Sequence, residues 1–132
     1  MDHMITAIID GKERPLNYSV EIMFKVNEKF GGVNQALDVI NSETKEGLDS
    51  LRWLAIELAN DGELCRREKG LDHWPFLTHK DLSARMSPIS YILLRGRVMD
   101  AIRAGYKRET ENEDEIDLGL AELNEKKAPA GA

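Results

Sequence analysis

Ile5-Thr6-Ala7-Ile8-Ile9-Asp10-Gly11-Lys12-Glu13-Arg14-Pro15-Leu16 opens the chain, and Ser19-Val20-Glu21-Ile22-Met23-Phe24-Lys25-Val26 follows almost at once. The first stretch holds two strand-like runs joined by Asp-Gly. A two-residue turn between twisted strands needs positive φ at both positions, which Asp-Gly supplies, so residues 5–16 are predicted to form a tight hairpin. Pro15 cannot donate to a strand ladder, which makes the second strand short or an edge. An isolated hairpin is marginal in water, so this one must lean on the helices or pair with another chain.

The second stretch is a capped amphipathic helix. Ser19 is a good N-cap and Gly31 a good stop. Ile22, Val26 and Phe30 recur on one face with Met23 beside them, while Glu21, Lys25 and Glu28 point outward. Beyond the bend at Gly31-Gly32, Val33, Ala36, Leu37 and Ile40 repeat the spacing in a shorter helix. A third helix is predicted from Ser42 or Thr44 to Gly62, with Leu48, Leu51, Ala55 and Leu58 as its stripe, Leu54 and Ile56 widening it, and Trp53 off centre. A short helical turn over Glu63–Lys69 follows, then a loop, Leu71-Asp72-His73-Trp74-Pro75-Phe76-Leu77. Thr78 and Asp81 have capping-box spacing and open a brief helix to Met86. Ser87-Pro88 starts the last helix as N-cap and first residue. Its apolar positions are Ile89, Ile92, Leu93, Val98, Met99 and Ile102, and Gly105 is its expected stop. Gly96 in its middle costs helix propensity, and a close helix contact there would explain it.

The 132 residues fit one domain. The expectation is a mainly α protein: a small N-terminal hairpin and a compact bundle of about five helices over residues 1–106, with a disordered acidic tail over 107–132. The net charge of −6 is uneven. From Lys107 onward, eight acidic residues against four basic ones leave −4 there and −2 on the body. An acidic chain is a poor match to nucleic acid. No run approaches the roughly 20 apolar residues of a membrane helix, and the N-terminus lacks signal-peptide character, so no membrane association is expected. One cysteine, Cys65, rules out an internal disulfide and fits a reducing cytoplasm.

Chemistry-bearing constellations are sparse. Cys65, His73, His79 and Asp81 share one stretch without the paired spacing of a zinc site. Met1-Asp2-His3 offers only the copper or nickel chelate open to any free chain with histidine third. Arg66 and Arg67 could activate Cys65, but no histidine is placed as its base. Phe30-Gly31-Gly32-Val33 lacks the lysine of a phosphate loop. The expectation is therefore no enzyme, no metal and no cofactor. A helix-turn-helix over Thr78–Ile92 is a rival reading, with Arg95, Arg97 and Arg103 able to meet phosphates. A recognition helix, however, should present polar and basic residues at its start, and this one begins Pro88-Ile89-Ser90-Tyr91-Ile92-Leu93-Leu94. Trp53, Trp74, Phe76 and Tyr91 are the candidate partner-binding residues. Large aromatics are usually buried anchors, but with arginines nearby (Arg52, Arg66, Arg67, Arg95, Arg97) they also suit an interface.

Four pieces of the chain together carry a resemblance: the Asp10-Gly11-Lys12 hairpin, the Phe30-Gly31-Gly32 helix end, the Leu51-Arg52-Trp53-Leu54-Ala55 helix, and Ala101-Ile102-Arg103-Ala104-Gly105-Tyr106 followed by acidic Asp117-Leu118-Gly119-Leu120. The chain resembles the tail assembly chaperones of long-tailed phages and prophages. The resemblance implies a protein of the host cytoplasm, absent from the finished virion. It would coat the aggregation-prone tape measure protein, help tail tube protein polymerise around it, and associate with copies of itself. The exposed hairpin edge also allows self-association. The competing class is a small cytosolic adaptor that binds one partner.

Overall fold

The structure is a computed structural model that describes residues 4–82 and 85–108. Strands β1 (Thr6–Ile9) and β2 (Lys12–Pro15) lead into helices α1 (Val20–Phe30), α2 (Val33–Ile40) and α3 (Lys45–Glu68). A 3-10 turn (His79–Leu82) and helix α4 (Pro88–Arg108) follow. The mainly helical class and the N-terminal hairpin are as the sequence indicates. The described residues hold four α-helices, where the periodicity suggested about five. The segment Glu63–Lys69 continues α3 instead of forming its own turn, and the stretch after Thr78 yields only a 3-10 turn. The expected disordered tail lies, from residue 109 on, outside the described residues.

Local chemistry sets the element ends. Asp10 and Gly11 take φ of 55° and 75°, as a two-residue hairpin requires, and the strands pair antiparallel with Ala7 opposite Arg14 and Ile9 opposite Lys12. The Ser19 hydroxyl accepts from the Ile22 amide at 3.4 Å, Thr44 caps α3 through the Gly47 amide at 3.0 Å, and Ser87 caps α4 through the Ser90 amide at 3.1 Å. Gly31 closes α1 in the left-handed region, φ 94°. Asp81 accepts the Thr78 amide at 2.7 Å, completing one half of the anticipated capping box.

Helix α3 is the axis of the molecule. Leu51, Leu54, Ala55 and Leu58 have no solvent exposure, and β2, α2, α4 and the 3-10 turn all pack on α3. From α4, Leu94, Val98, Ala101 and Ile102 are buried in the same core. The hairpin leans on α3 through its second strand, and the Asn17 amide donates to the Leu58 carbonyl at 3.0 Å, past the end of the strand.

Three glycines reverse their expected roles. Gly62 does not end a helix: it lies within α3, where a Cβ would run into the Pro15 carbonyl, so it is the point at which β2 touches the helix. Gly105 does not stop α4 either. A Cβ there would stand 2.7 Å from the Tyr18 carbonyl oxygen, and the helix continues to Arg108. Gly96, expected to mark a close contact, has no atom within 4 Å of a built Cβ. A helical glycine is kept either for space or at a cost in backbone entropy. Gly62→Ala should therefore destabilise the protein by about 1–3 kcal/mol, as overpacking does. Gly96→Ala should stabilise it by about 0.5–1 kcal/mol. Thermal or urea unfolding of the two variants checks both signs, and a neutral Gly62→Ala would refute the strand–helix contact.

Candidate functional site

The loop between α3 and the 3-10 turn is held by a carboxylate. Glu63, on the last turns of α3, is 1% exposed. It accepts from Arg66 Nη1 at 2.8 Å, from Arg67 Nε at 2.9 Å and from the Trp74 backbone amide at 2.8 Å. The arginines then reach the loop themselves: Arg66 donates to the Asp72 carboxylate and carbonyl, both at 2.8 Å, and Arg67 to the Trp74 carbonyl at 2.8 Å. One turn earlier, the Asn60 side-chain amide exchanges hydrogen bonds with both backbone groups of Leu77, at 2.8 and 3.0 Å. Burial pushes the Glu63 carboxyl upward in pKa, but its bonds from Arg67, Arg66 and the Trp74 amide outweigh that and hold it below its ordinary value.

Two of the four candidate aromatics belong to this assembly. The Arg66 guanidinium lies 3.5 Å from the Trp74 ring centroid, with Arg14 5.6 Å away on the same ring, and Arg67 covers Phe76 at 4.2 Å. Arg14 is itself buried and donates to the Pro75 carbonyl at 3.3 Å. Trp53 sits elsewhere, edge-on to Phe30 with centroids 5.8 Å apart. Tyr91, on α4, is half-buried, with Arg95 at 5.0 Å over its ring and bonded to its hydroxyl. The structure thus brings Trp74 and Phe76 together and places Trp53 and Tyr91 at separate concavities. Of the metal-ligand types in that stretch, Asp81 caps the 3-10 turn, Cys65 is half-buried on α3, and His73 and His79 are exposed. No cluster of three His, Cys, Asp or Glu side chains suited to a metal occurs among the described residues. No helix among them is long and apolar enough to cross a membrane.

Large apolar residues are exposed on α1 (Val20, Phe24), at the end of α3 (Leu64), in the loop after it (Leu71, Phe76) and, three together on one face, on α4. Ile89, Ile92 and Leu93, grouped by periodicity with the core positions Val98 and Ile102, are 66%, 51% and 64% exposed. With Gly96 they stand at i, i+3, i+4 and i+7, one continuous strip on the side of α4 opposite Leu94, Val98 and Ala101. The hairpin extends this strip, because the outer face of β1 presents Ile8, 77% exposed. A groove of about 450 Å³ runs between them, lined by Thr6, Ile8, Glu13, Leu93, Leu94 and Arg97. The sequence held a signal for this face: Ile89, Ile92, Leu93 and Leu94 cover too wide an arc for one side of a helix to bury.

No protein-family model matches the chain, and no curated protein or solved structure does. The open strip on α4 and the pinned loop are its two distinctive features, and the second can be tested by titration. The depressed pKa of Glu63 gives stability that is complete above its ordinary value of 4.5 and is lost as pH falls from there through the lower folded value. Glu63→Gln should cost on the order of 3 kcal/mol at neutral pH, since it removes one partner of a buried ion cluster. The variant should also flatten the loss of stability below pH 4.5. Urea unfolding across pH tests this, and parallel curves for the two proteins would refute it.

Proposed function

We propose that the protein is a non-catalytic assembly chaperone of the phage tail type, which covers helical segments of a tape measure protein until tail tube subunits polymerise around it. The observation that carries this reading is the open strip Ile89-Ile92-Leu93, which runs to Gly96. Positions spaced by three and four residues on one helix face are those a second helix packs against. Gly96, at the C-terminal end of the strip, adds no side chain there, so a partner backbone can approach closely at that point. A helical polymer awaiting assembly exposes the complementary apolar stripe. The sequence resemblance to tail assembly chaperones supports the identity of that polymer, and many copies along it would gain from effective concentration.

Co-expression is the direct test. The intact protein should move the tape measure protein from the insoluble to the soluble fraction. Leu93→Asp, at an exposed position, should keep the fold and weaken binding by roughly 2 kcal/mol or more, as loss of a central anchor does. Trp74→Ala should act mainly on stability, through the loop it anchors. If Trp74→Ala abolishes binding with the fold intact while Leu93→Asp does not, the partner surface lies over the Trp74–Phe76 loop instead. No effect of the intact protein on tape measure solubility would refute the function.

A further inference from the structure

We infer that the hollow between the first turns of α3 and α4 binds a small apolar monocarboxylate, held through Arg52. The hollow measures about 610 Å³, within the roughly 300–1,000 Å³ usual for small-molecule sites. Leu48 on α3, Met86 just before α4, and Pro88, Tyr91 and Ile92 on α4 supply its apolar lining. Arg52, on α3, lines the same hollow and is short of partners. Its side chain is 18% exposed, and its Nη1 stands 3.5 Å from the Asp49 carboxylate. Its buried Nε has no hydrogen-bond partner among the described residues. Five apolar side chains around one under-bonded guanidinium are the composition of a site for an amphiphile.

The charge balance gives the sign of the ligand. Among the described residues, Glu43 is the one carboxylate lining the hollow, and Arg95 engages it at 3.5 Å. Lys45 and Arg52 share a single acceptor, Asp49, at 3.7 and 3.5 Å. Glu46 and Asp49 open on the neighbouring hollow, beside Trp53. In the set Glu43, Arg95, Lys45, Arg52 and Asp49, three cations meet two carboxylates, which leaves one positive charge over. Thr44 and Ser87, the N-caps of α3 and α4, also line the hollow, so the positive ends of two helices add to it. An inorganic anion would leave the apolar lining wet. A neutral apolar molecule would strip water from the guanidinium without replacing its hydrogen bonds. A carboxylate on a short hydrocarbon chain or ring answers both demands. The hollow shares only Ile92 with the open strip of α4, so this site is separate from the surface proposed for the helical partner.

Sodium octanoate below its micelle-forming concentration is the probe, with octanol and octylammonium as its neutral and cationic counterparts. NMR titration of the full-length protein should shift the Arg52 Nε–H, the methyl groups of Leu48, Met86 and Ile92, and the Tyr91 ring. Octanoate should bind at least about tenfold more tightly than octanol, and octylammonium more weakly than either. Arg52→Met should abolish that preference and leave octanol affinity unchanged, whereas Arg52→Lys should keep part of it. Unchanged amide resonances at Ile22 and Ala36 confirm that both variants fold. Equal affinity for octanoate and octanol would overturn the carboxylate site, and so would an undiminished preference in Arg52→Met. Shifts confined to Ile8, Ile89 and Leu93 would place the ligand on the open strip and also overturn it, as would no shift at all. The tape measure assay reads a different surface, so each result stands without the other.

Discussion

The path of the loop after α3, over residues 72–74, depends on one buried carboxylate. Removing a glutamate from water is expensive unless its charge is met, and at Glu63 two guanidinium groups and a backbone amide meet it. Because Arg66 and Arg67 lie one turn on along the same helix, the cluster is half assembled as soon as α3 forms. The loop then completes it by bringing the Trp74 amide to the carboxylate oxygen that Arg67 also reaches. A loop with few apolar contacts of its own is thereby held by charge and by rings stacked beneath guanidinium groups.

The fold's local grammar was legible in the sequence. Asp10-Gly11, Ser19, Gly31, Thr44 and Ser87-Pro88 each act within a few residues of themselves, so their chemistry could be read without knowing what surrounds them. Gly62, Gly96 and Gly105 could not. A glycine in a helical stretch looks the same whether it ends the helix, admits a neighbouring backbone or faces solvent, and the difference lies in Pro15 and Tyr18, distant in sequence. Glu63 was equally opaque, for its burial depends on a loop ten residues further on.

The open aliphatic face is hard to read from the sequence for a related reason. Large aromatics attract attention as anchors, yet Trp74 and Phe76 lie under arginines and Trp53 against Phe30. On α4 the open apolar area comes from ordinary aliphatic residues that periodicity alone assigns to a core. Helix α4 buries Leu94, Val98 and Ile102 on one side and exposes Ile89, Ile92 and Leu93 on the other. A helix apolar on two sides has more to cover than this domain supplies, and among the described residues β1 adds to the uncovered area.

The contact between Tyr18 and Gly105 has a temporal side. Residues on a ribosome emerge at roughly 5–20 per second, so the hairpin, α1 and α2 exist for seconds before the residue that closes against Tyr18 is made. During that interval α3 can assemble with the elements before it, since the contacts among β2, α2 and α3 need only chain already synthesised. The bed on α3 and Tyr18 that receives α4 stays open until residues 88–108 have been made. A nascent chain of this protein therefore passes through a stage in which it lacks α4, and the apolar bed left empty is the one that helix must claim before another molecule does.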